Sequence, residues 1–229
     1  MKIEIWSDIA CPFCYIGKHH LEKAVEKLPE NTSIDIEWKS FELDPGAAKD
    51  YKEDLYELLA RKYGQPRTWA VQMSGNMAEK GKTIGLEFNF DKTVPTNTFD
   101  AHRLLKMAQA KGLGHQAEEI MFEAYFRDGK HVGRLEALAD IGEEMGLDRE
   151  EVIQMLNSDD FSDQVRSEEE ASRKFGITGV PFFVINRKYG ISGAQPVEHF
   201  EKVLQQAHSD EQPREVSGNG PSCGPEGCD

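Results

Sequence analysis

The stretch Lys2-Ile3-Glu4-Ile5-Trp6-Ser7-Asp8-Ile9-Ala10-Cys11-Pro12-Phe13-Cys14 decides the fold. Residues 2–8 read as a strand, with Ile3 and Ile5 on one face. Leu21, Ala24, Val25 and Leu28 then recur at i, i+3, i+4 and i+7, one stripe of an amphipathic helix that Pro29 ends. Ile34, Ile36 and Trp38 alternate with Asp35 and Glu37, which is a second strand. A β-α-β crossover of this kind makes the two strands parallel. The Cys-x-x-Cys lies between the first strand and its helix.

That position matters more than the spacing. At a helix N-terminus the unpaired backbone N–H groups and the positive end of the helix dipole stabilise a thiolate. Pro12 suits the first turn, where its missing N–H leaves no partner unbonded. A thiol of pKa near 8.5 is only about 3% ionised at pH 7, and a drop of two units raises that to roughly three quarters. Cys11 is therefore expected to be the attacking thiolate. Cys14, one turn along and less exposed, is expected to resolve the mixed disulfide.

Outward from this unit the period becomes helical. Tyr51, Leu55, Leu58 and Leu59 share a face, as do Ala101, Leu104, Leu105 and Ala108, and then Ala117, Ile120, Met121, Ala124 and Tyr125. Asp148 with Glu151 resembles a capping box that opens a further helix. Only a weak Phe88–Phe90 fragment has strand character here. Strand pattern returns at Val180-Pro181-Phe182-Phe183-Val184-Ile185, a turn follows at residues 186–189, and residues 190–193 run back as a hairpin. Pro196 opens a last helix with Val197, Phe200 and Leu204 facing inward. The expected organisation is a β-containing domain from 1–48 and 176–208, a helical insertion over 49–175, and a polar tail over 209–229 that buries too little to order itself.

The chain has 229 residues, and 27 Lys and Arg against 41 Asp and Glu give it a net charge of −14. Such acidity repels phosphate backbones and anionic lipids, so neither nucleic acid nor a membrane is an expected partner. No segment approaches the roughly 20 apolar residues that span a bilayer. The start, Met1-Lys2-Ile3-Glu4, lacks the apolar run of a secretory signal, and a cytoplasmic location is expected.

The four cysteines fall as Cys11/Cys14 and Cys223/Cys228. Two structural disulfides suit small secreted domains rather than a chain held among reducing thiols. Zinc needs two further ligands, which the C-terminal pair supplies in principle, but a Cys-x-x-Cys that enters a helix directly is unlike a zinc knuckle. Redox exchange is the preferred reading, and no metal is assigned. Cys223-Gly224-Pro225-Glu226-Gly227-Cys228 is read as a second redox pair, a transient metal clamp or a dispensable tail, with the redox pair preferred.

The segment Trp6-Ser7-Asp8-Ile9-Ala10-Cys11-Pro12-Phe13-Cys14-Tyr15-Ile16-Gly17 resembles the opening of the DsbA-like thioredoxin superfamily in its FrnE-type branch. The likeness extends to Asn97-Thr98-Phe99-Asp100-Ala101-His102-Arg103-Leu104 and to Gly179-Val180-Pro181-Phe182-Phe183. It implies an α/β, thioredoxin-like fold with a large all-helical insertion. It also implies a cis Val180–Pro181 bond beside the cysteine pair. Val180 would then present its backbone to an extended substrate, and Pro181, Pro12 and Phe13 would wall the sulfurs.

The activity implied is a cytoplasmic thiol–disulfide oxidoreductase that reduces or isomerises a disulfide-containing protein or a small thiol substrate. No tightly bound cofactor is expected, and glutathione or another thiol would act as reductant. Two alternatives stay open. One is a glutathione-dependent isomerase of the 2-hydroxychromene-2-carboxylate type, whose members typically carry serine at the first cysteine. The other is a non-enzymatic redox- or zinc-sensing module. His19 and His20 are expected on a solvated flank, His102 in packing or hydrogen bonding, Met73 and Met77 in ordinary core rather than a substrate groove, and Glu168-Glu169-Glu170 on a solvated helix face.

Overall fold

A computed structural model describes residues 1–211 and the short segments Cys223–Gly224 and Gly227–Cys228. Strand β1 (Lys2–Ser7) leads through helix α1 (Pro12–Val25) to strand β2 (Asp35–Ser40). β1 and β2 are parallel, with Ile3 opposite Ile36 and Ile5 opposite Trp38. Strands β3 (Phe182–Ile185) and β4 (Tyr189–Ser192) form the C-terminal hairpin, which turns at Asn186 and Arg187 with φ of 51° and 53°. β3 pairs antiparallel with β1, so the sheet order is β2-β1-β3-β4.

Between β2 and β3 run α2 (Leu55–Tyr63), α3 (Arg67–Lys82), α4 (Phe99–Ala110), α5 (Gly114–Phe122), α6 (Leu135–Glu144), α7 (Arg149–Leu156) and α8 (Ser162–Lys174). α5 continues into a π-helical turn at Glu123–Arg127, and α9 (Val197–Glu211) follows the hairpin. Asp148 caps α7 as its spacing implies, accepting the Glu151 N–H at 2.9 Å. Phe88 and Phe90 form no strand. Their rings stack 5.3 Å apart against Phe126, because burial there comes from aromatic packing and not from sheet pairing. α9 reaches Glu211, past the start expected for the tail, because Asp210 accepts from Lys188 and the Tyr189 hydroxyl on the hairpin.

α1 has two buried sides, and this is what positions the site. Leu21 and Ala24 pack with Ile3, Ile5, Phe183 and the α9 residues Phe200 and Leu204 on one face of the sheet. Tyr15 and Ile16 face the other way, into a core that includes Leu104, Met121 and Phe122. Tyr15 stacks on Phe122 at 4.9 Å. Gly17 lets α1 settle on the sheet, since a Cβ there would come within 3.0 Å of both the Phe183 ring and Pro181 Cγ.

The acidic run on α8 departs from its expected solvated role. Glu168 and Glu169 are only 5% and 7% exposed. Lys106 Nζ lies 2.7 Å from Glu168 Oε2, which also accepts the Ser40 N–H at 2.8 Å, and Arg166 meets Glu169 at 2.7 Å. The Trp6 indole N–H donates to the Glu168 carbonyl at 3.0 Å. A charge run reads as solvated only while its partners are out of view, and here those of Glu168 come from α4 and β2, while Glu169 pairs with Arg166 one turn back on α8. Glu170 alone stays exposed, paired with Lys174 at 2.8 Å.

Candidate active site

The chain leaves β1 at Ser7, and Cys11 becomes the N-cap of α1 in extended conformation, φ −100° and ψ 107°. Its N–H donates to the Asp8 carbonyl at 3.0 Å, and the Cys14 N–H donates to the Cys11 carbonyl at 3.0 Å. Pro12 occupies the first turn, as its missing N–H allows. Both thiols are free, with Cys11 4% and Cys14 1% exposed. Burial pushes the Cys14 thiol well up in pKa, and the adjacent Cys11 sulfur adds to this against weaker opposition from Asp8 and Ser7. Cys14 therefore keeps its proton at neutral pH.

The Val180–Pro181 bond is cis, as the resemblance implies. The Cys11 thiol faces the Val180 carbonyl at 3.6 Å, Pro181 is buried, and Phe13 is 44% exposed beside the pair. Thus Cys11, Cys14, Pro12, Phe13, Val180 and Pro181 converge. Among the described residues the Val180 N–H donates to no protein acceptor. Cys223 and Cys228 stand opposite each other on the backbone of the ribbon formed by β5 (Cys223–Gly224) and β6 (Gly227–Cys228), and their side chains lie outside the described residues. Among the described residues no group of three His, Cys, Asp or Glu could hold a metal.

Beneath the cysteine turn lies a buried acid that the sequence reading assigned no role. The Asp8 carboxylate accepts the Leu43 N–H at 2.7 Å and the Ala10 N–H at 3.3 Å. It also lies 3.6 Å from His102 Nε2, which approaches the Phe41 carbonyl at 3.2 Å. Burial disfavours a charged His102, yet Asp8, with Glu118 and Glu42 beyond it, holds its pKa above the ordinary imidazole value. Burial also pushes the Glu118 carboxyl up to about 7, against the pull of His102, Lys106 and Lys18. Asp8 stands three residues before Cys11, so proximity was the available signal. Its partner on α4 was visible only as a histidine with a packing or hydrogen-bonding role, which it has.

Two expectations need correction. His19 and His20 are half-buried, because α1 is covered on that flank too. His20 Nδ1 sits 2.7 Å from the Gln195 carbonyl, and His19 Nε2 lies 3.5 Å from Glu119. Met73 is not core but 47% exposed on a cavity wall, whereas Met77, one turn on, is half-buried and packs against the core while also reaching that wall. They line an apolar cavity of about 340 Å³ with Phe13, Leu59, Trp69 and Phe126. A larger cleft of about 630 Å³ contains Cys11, Asp8 and Val180, and both cavities are bounded by Ala10, Pro12, Phe13, Leu55, Leu59 and Tyr125. Among the described residues no helix is long and apolar enough to cross a membrane.

Residues 2–205 match a DSBA-like thioredoxin domain. The uncharacterized protein YwbO of Bacillus subtilis (strain 168) is 30% identical over 214 residues, covering 93% of this chain and 98% of its own length. The crystal structure of a probable DsbA oxidoreductase from Streptomyces coelicolor superposes with a TM-score of 0.88 at 38% identity, covering 100% of this chain and 98% of that one. The cytosolic disulfide reductase DsbM from Pseudomonas aeruginosa, in a structure with GSH, shares the fold at a TM-score of 0.62 and 15% identity, over 91% and 100% of the two chains. With its mixed sheet, helical elaboration and N-capping cysteine, the chain belongs to the DsbA-like thioredoxin-domain family.

Proposed function

We propose that the chain is a cytoplasmic thiol–disulfide oxidoreductase of the FrnE type, working through Cys11 and Cys14. The observation that carries this reading is the placement of Cys11 at the start of α1, with Cys14 one turn behind it and the Val180 carbonyl 3.6 Å away. The Cys11 thiolate attacks one sulfur of a substrate disulfide. A Cys11–substrate S–S bond forms, and the other substrate sulfur leaves as a thiolate that takes up a proton. Cys14 then gives up its proton and attacks the Cys11 sulfur, closing the Cys11–Cys14 disulfide and releasing the second substrate thiol. Two electrons pass from enzyme to substrate.

Val180 offers its unpaired N–H to an extended substrate backbone, while Pro181, Pro12 and Phe13 flank the sulfurs. Two equivalents of a thiol such as glutathione, oxidised to their own disulfide, reset the pair. The DsbM structure with GSH supports that choice. Its description as cytosolic supports the compartment. There a thiol-rich environment favours the dithiol form and hence reduction or isomerisation. Cys223 and Cys228 serve in this reading as a second dithiol that can pass its electron pair to an oxidised Cys11–Cys14.

The test is insulin reduction and refolding of scrambled ribonuclease with glutathione present. Wild type should accelerate at least one of these, and Cys11→Ser should lose the acceleration. A wild type inert in both assays, or full activity in Cys11→Ser, would overturn the reading.

A further inference from the structure

Two donors at the end of β1 lack an acceptor. Ser7 is only 3% exposed, and its Oγ has no hydrogen-bond partner among the described residues. The N–H of Asp8, the next residue, donates to no carbonyl among them. Buried polar groups are nearly always hydrogen-bonded, so two adjacent orphans call for a cause.

The packing of α1 supplies it. Side chains alternate along a strand, so Ser7 continues the side of β1 that carries Ile3 and Ile5. On that side α1 packs through Leu21 and Ala24. Cys14 and Gly17 lie on the same stripe of α1, one and two turns nearer its N-terminus. The chain reverses between β1 and α1, so the last residue of the strand meets the first turn of the helix. Both donors bear on the Cys14 sulfur there: each draws the thiol pKa down by hydrogen bonding, against the larger effect of burial. A protonated thiol is a weak acceptor and leaves them unsatisfied, whereas a thiolate accepts strongly.

We infer that the Ser7 hydroxyl and the Asp8 N–H form a two-donor cradle for the Cys14 thiolate, which makes Ser7 a catalytic residue of the resolving step. The inference rests on the disulfide-exchange reading and adds a residue to it. In that step Cys14 gives up its proton and its sulfur attacks the Cys11 sulfur of the mixed disulfide. The Cys11–Cys14 bond forms and the Cys11–substrate bond breaks. The substrate sulfur leaves with the electron pair and takes up a proton in place of the one Cys14 released. The cradle meets the buried charge where it develops. It serves the return as well. When a glutathione thiolate attacks Cys11 of the closed disulfide, the electron pair of the broken bond passes to Cys14 and the same donors receive it.

Ser40, the register partner of Ser7 on β2, also has an unpartnered Oγ. Of the two hydroxyls, Ser7 is the one that acts on the Cys14 sulfur, so Ser40 is a control of the same chemistry.

In the test, reduced full-length protein is mixed with glutathione disulfide and acid-quenched at short intervals. Mass-spectrometric mapping then counts the Cys11–glutathione adduct and the Cys11–Cys14 disulfide. Ser7→Ala should form the adduct at the wild-type rate and resolve it about 5-fold more slowly, the lost hydrogen bond to an anion being partly offset by a more basic thiolate. Reduction of the closed disulfide by glutathione should slow likewise. Ser7→Thr, which keeps the hydroxyl, should resolve close to the wild-type rate, and Ser40→Ala at that rate. Because the hydroxyl has no partner in the resting protein, Ser7→Ala should not lower the urea midpoint of the reduced form, whereas loss of a structural hydrogen bond would lower it.

Equal adduct lifetimes in wild type and Ser7→Ala, or the same delay in Ser40→Ala, would overturn the cradle and leave the exchange reading standing. The comparison of these two variants decides even where the added methyl of Ser7→Thr disrupts β1. A wild type that forms no Cys11 adduct would sink the exchange reading, and the cradle with it.

Discussion

The Cys11 sulfur and the Val180 carbonyl oxygen lie 3.6 Å apart, joining residues 169 positions apart in the chain across the mouth of the cleft. The cysteine that caps α1 thus has the Val180 carbonyl as its immediate neighbour, while Cys14 is held deeper, with its thiol pKa pushed up by burial. A buried, protonated second thiol attacks slowly until a mixed disulfide forms beside it. Replacing Cys14 by Ser should therefore trap a Cys11–substrate adduct, seen by mass spectrometry as a stable mass increase that dithiothreitol removes. Cys11→Ser should trap none.

Gly17 sets how closely α1 approaches the loop that carries Pro181. A Cβ there would sit 3.0 Å from Phe183 Cζ and from Pro181 Cγ. Gly17→Val should cost about 1–3 kcal/mol in urea unfolding, the range for an overpacked core. Its exchange rate should fall as well, because the helix bearing both cysteines is pushed off the proline wall.

His102 bears on pH dependence. Asp8, Glu118 and Glu42 hold its pKa above the ordinary value despite burial. A raised histidine pKa contributes stability that is complete below the unfolded value, about 6.5, and fades as pH rises through the folded one. The gap in unfolding free energy between wild type and His102→Gln should accordingly be wider at pH 6 than at pH 9. A gap that does not change with pH would rule out a charged His102 in the fold.

Glu118 acts in the same direction by a different route. Burial raises it from 4.5 to about 7, so the unfolded chain releases this proton first. Its contribution to stability is then lost as pH rises from about 4.5 to about 7, and no further loss follows above that. Glu118→Gln should remove this slope and gain stability relative to wild type at pH 8, on the order of 3 kcal/mol. Urea midpoints at pH 4.5 and pH 8 check it.

Lys106 and Glu168 form a buried pair at 2.7 Å. Lys106→Met leaves the carboxylate with Lys39 at 3.6 Å and one backbone N–H, and should destabilise the protein by about 3 kcal/mol. Adding Glu168→Gln should restore part of that loss. A double variant no better than the single one would show that the two residues act independently.

The sequence by itself determined the local elements and the chemistry they could carry. Alternation in Ile3–Ile5 and Ile34–Trp38, with a helical stripe between, fixed the β-α-β unit, and that unit put Cys11 at a helix start. These signals are legible because strand and helix periods are properties of contiguous residues. The cis Val180–Pro181 bond followed only from resemblance, and the protein has it.

Tertiary structure decided what depended on distant partners. Glu168 and Glu169 are buried because Lys106, Ser40 and Arg166 come to them from other parts of the chain or another turn of α8. Asp8 finds His102 across nearly half the sequence. Met73 is exposed on a cavity wall that it shares with Phe13, although Met77 one turn on still packs against the core. Periodicity says which side of a helix is apolar, but whether that side meets protein or an open cleft depends on how the helices are packed.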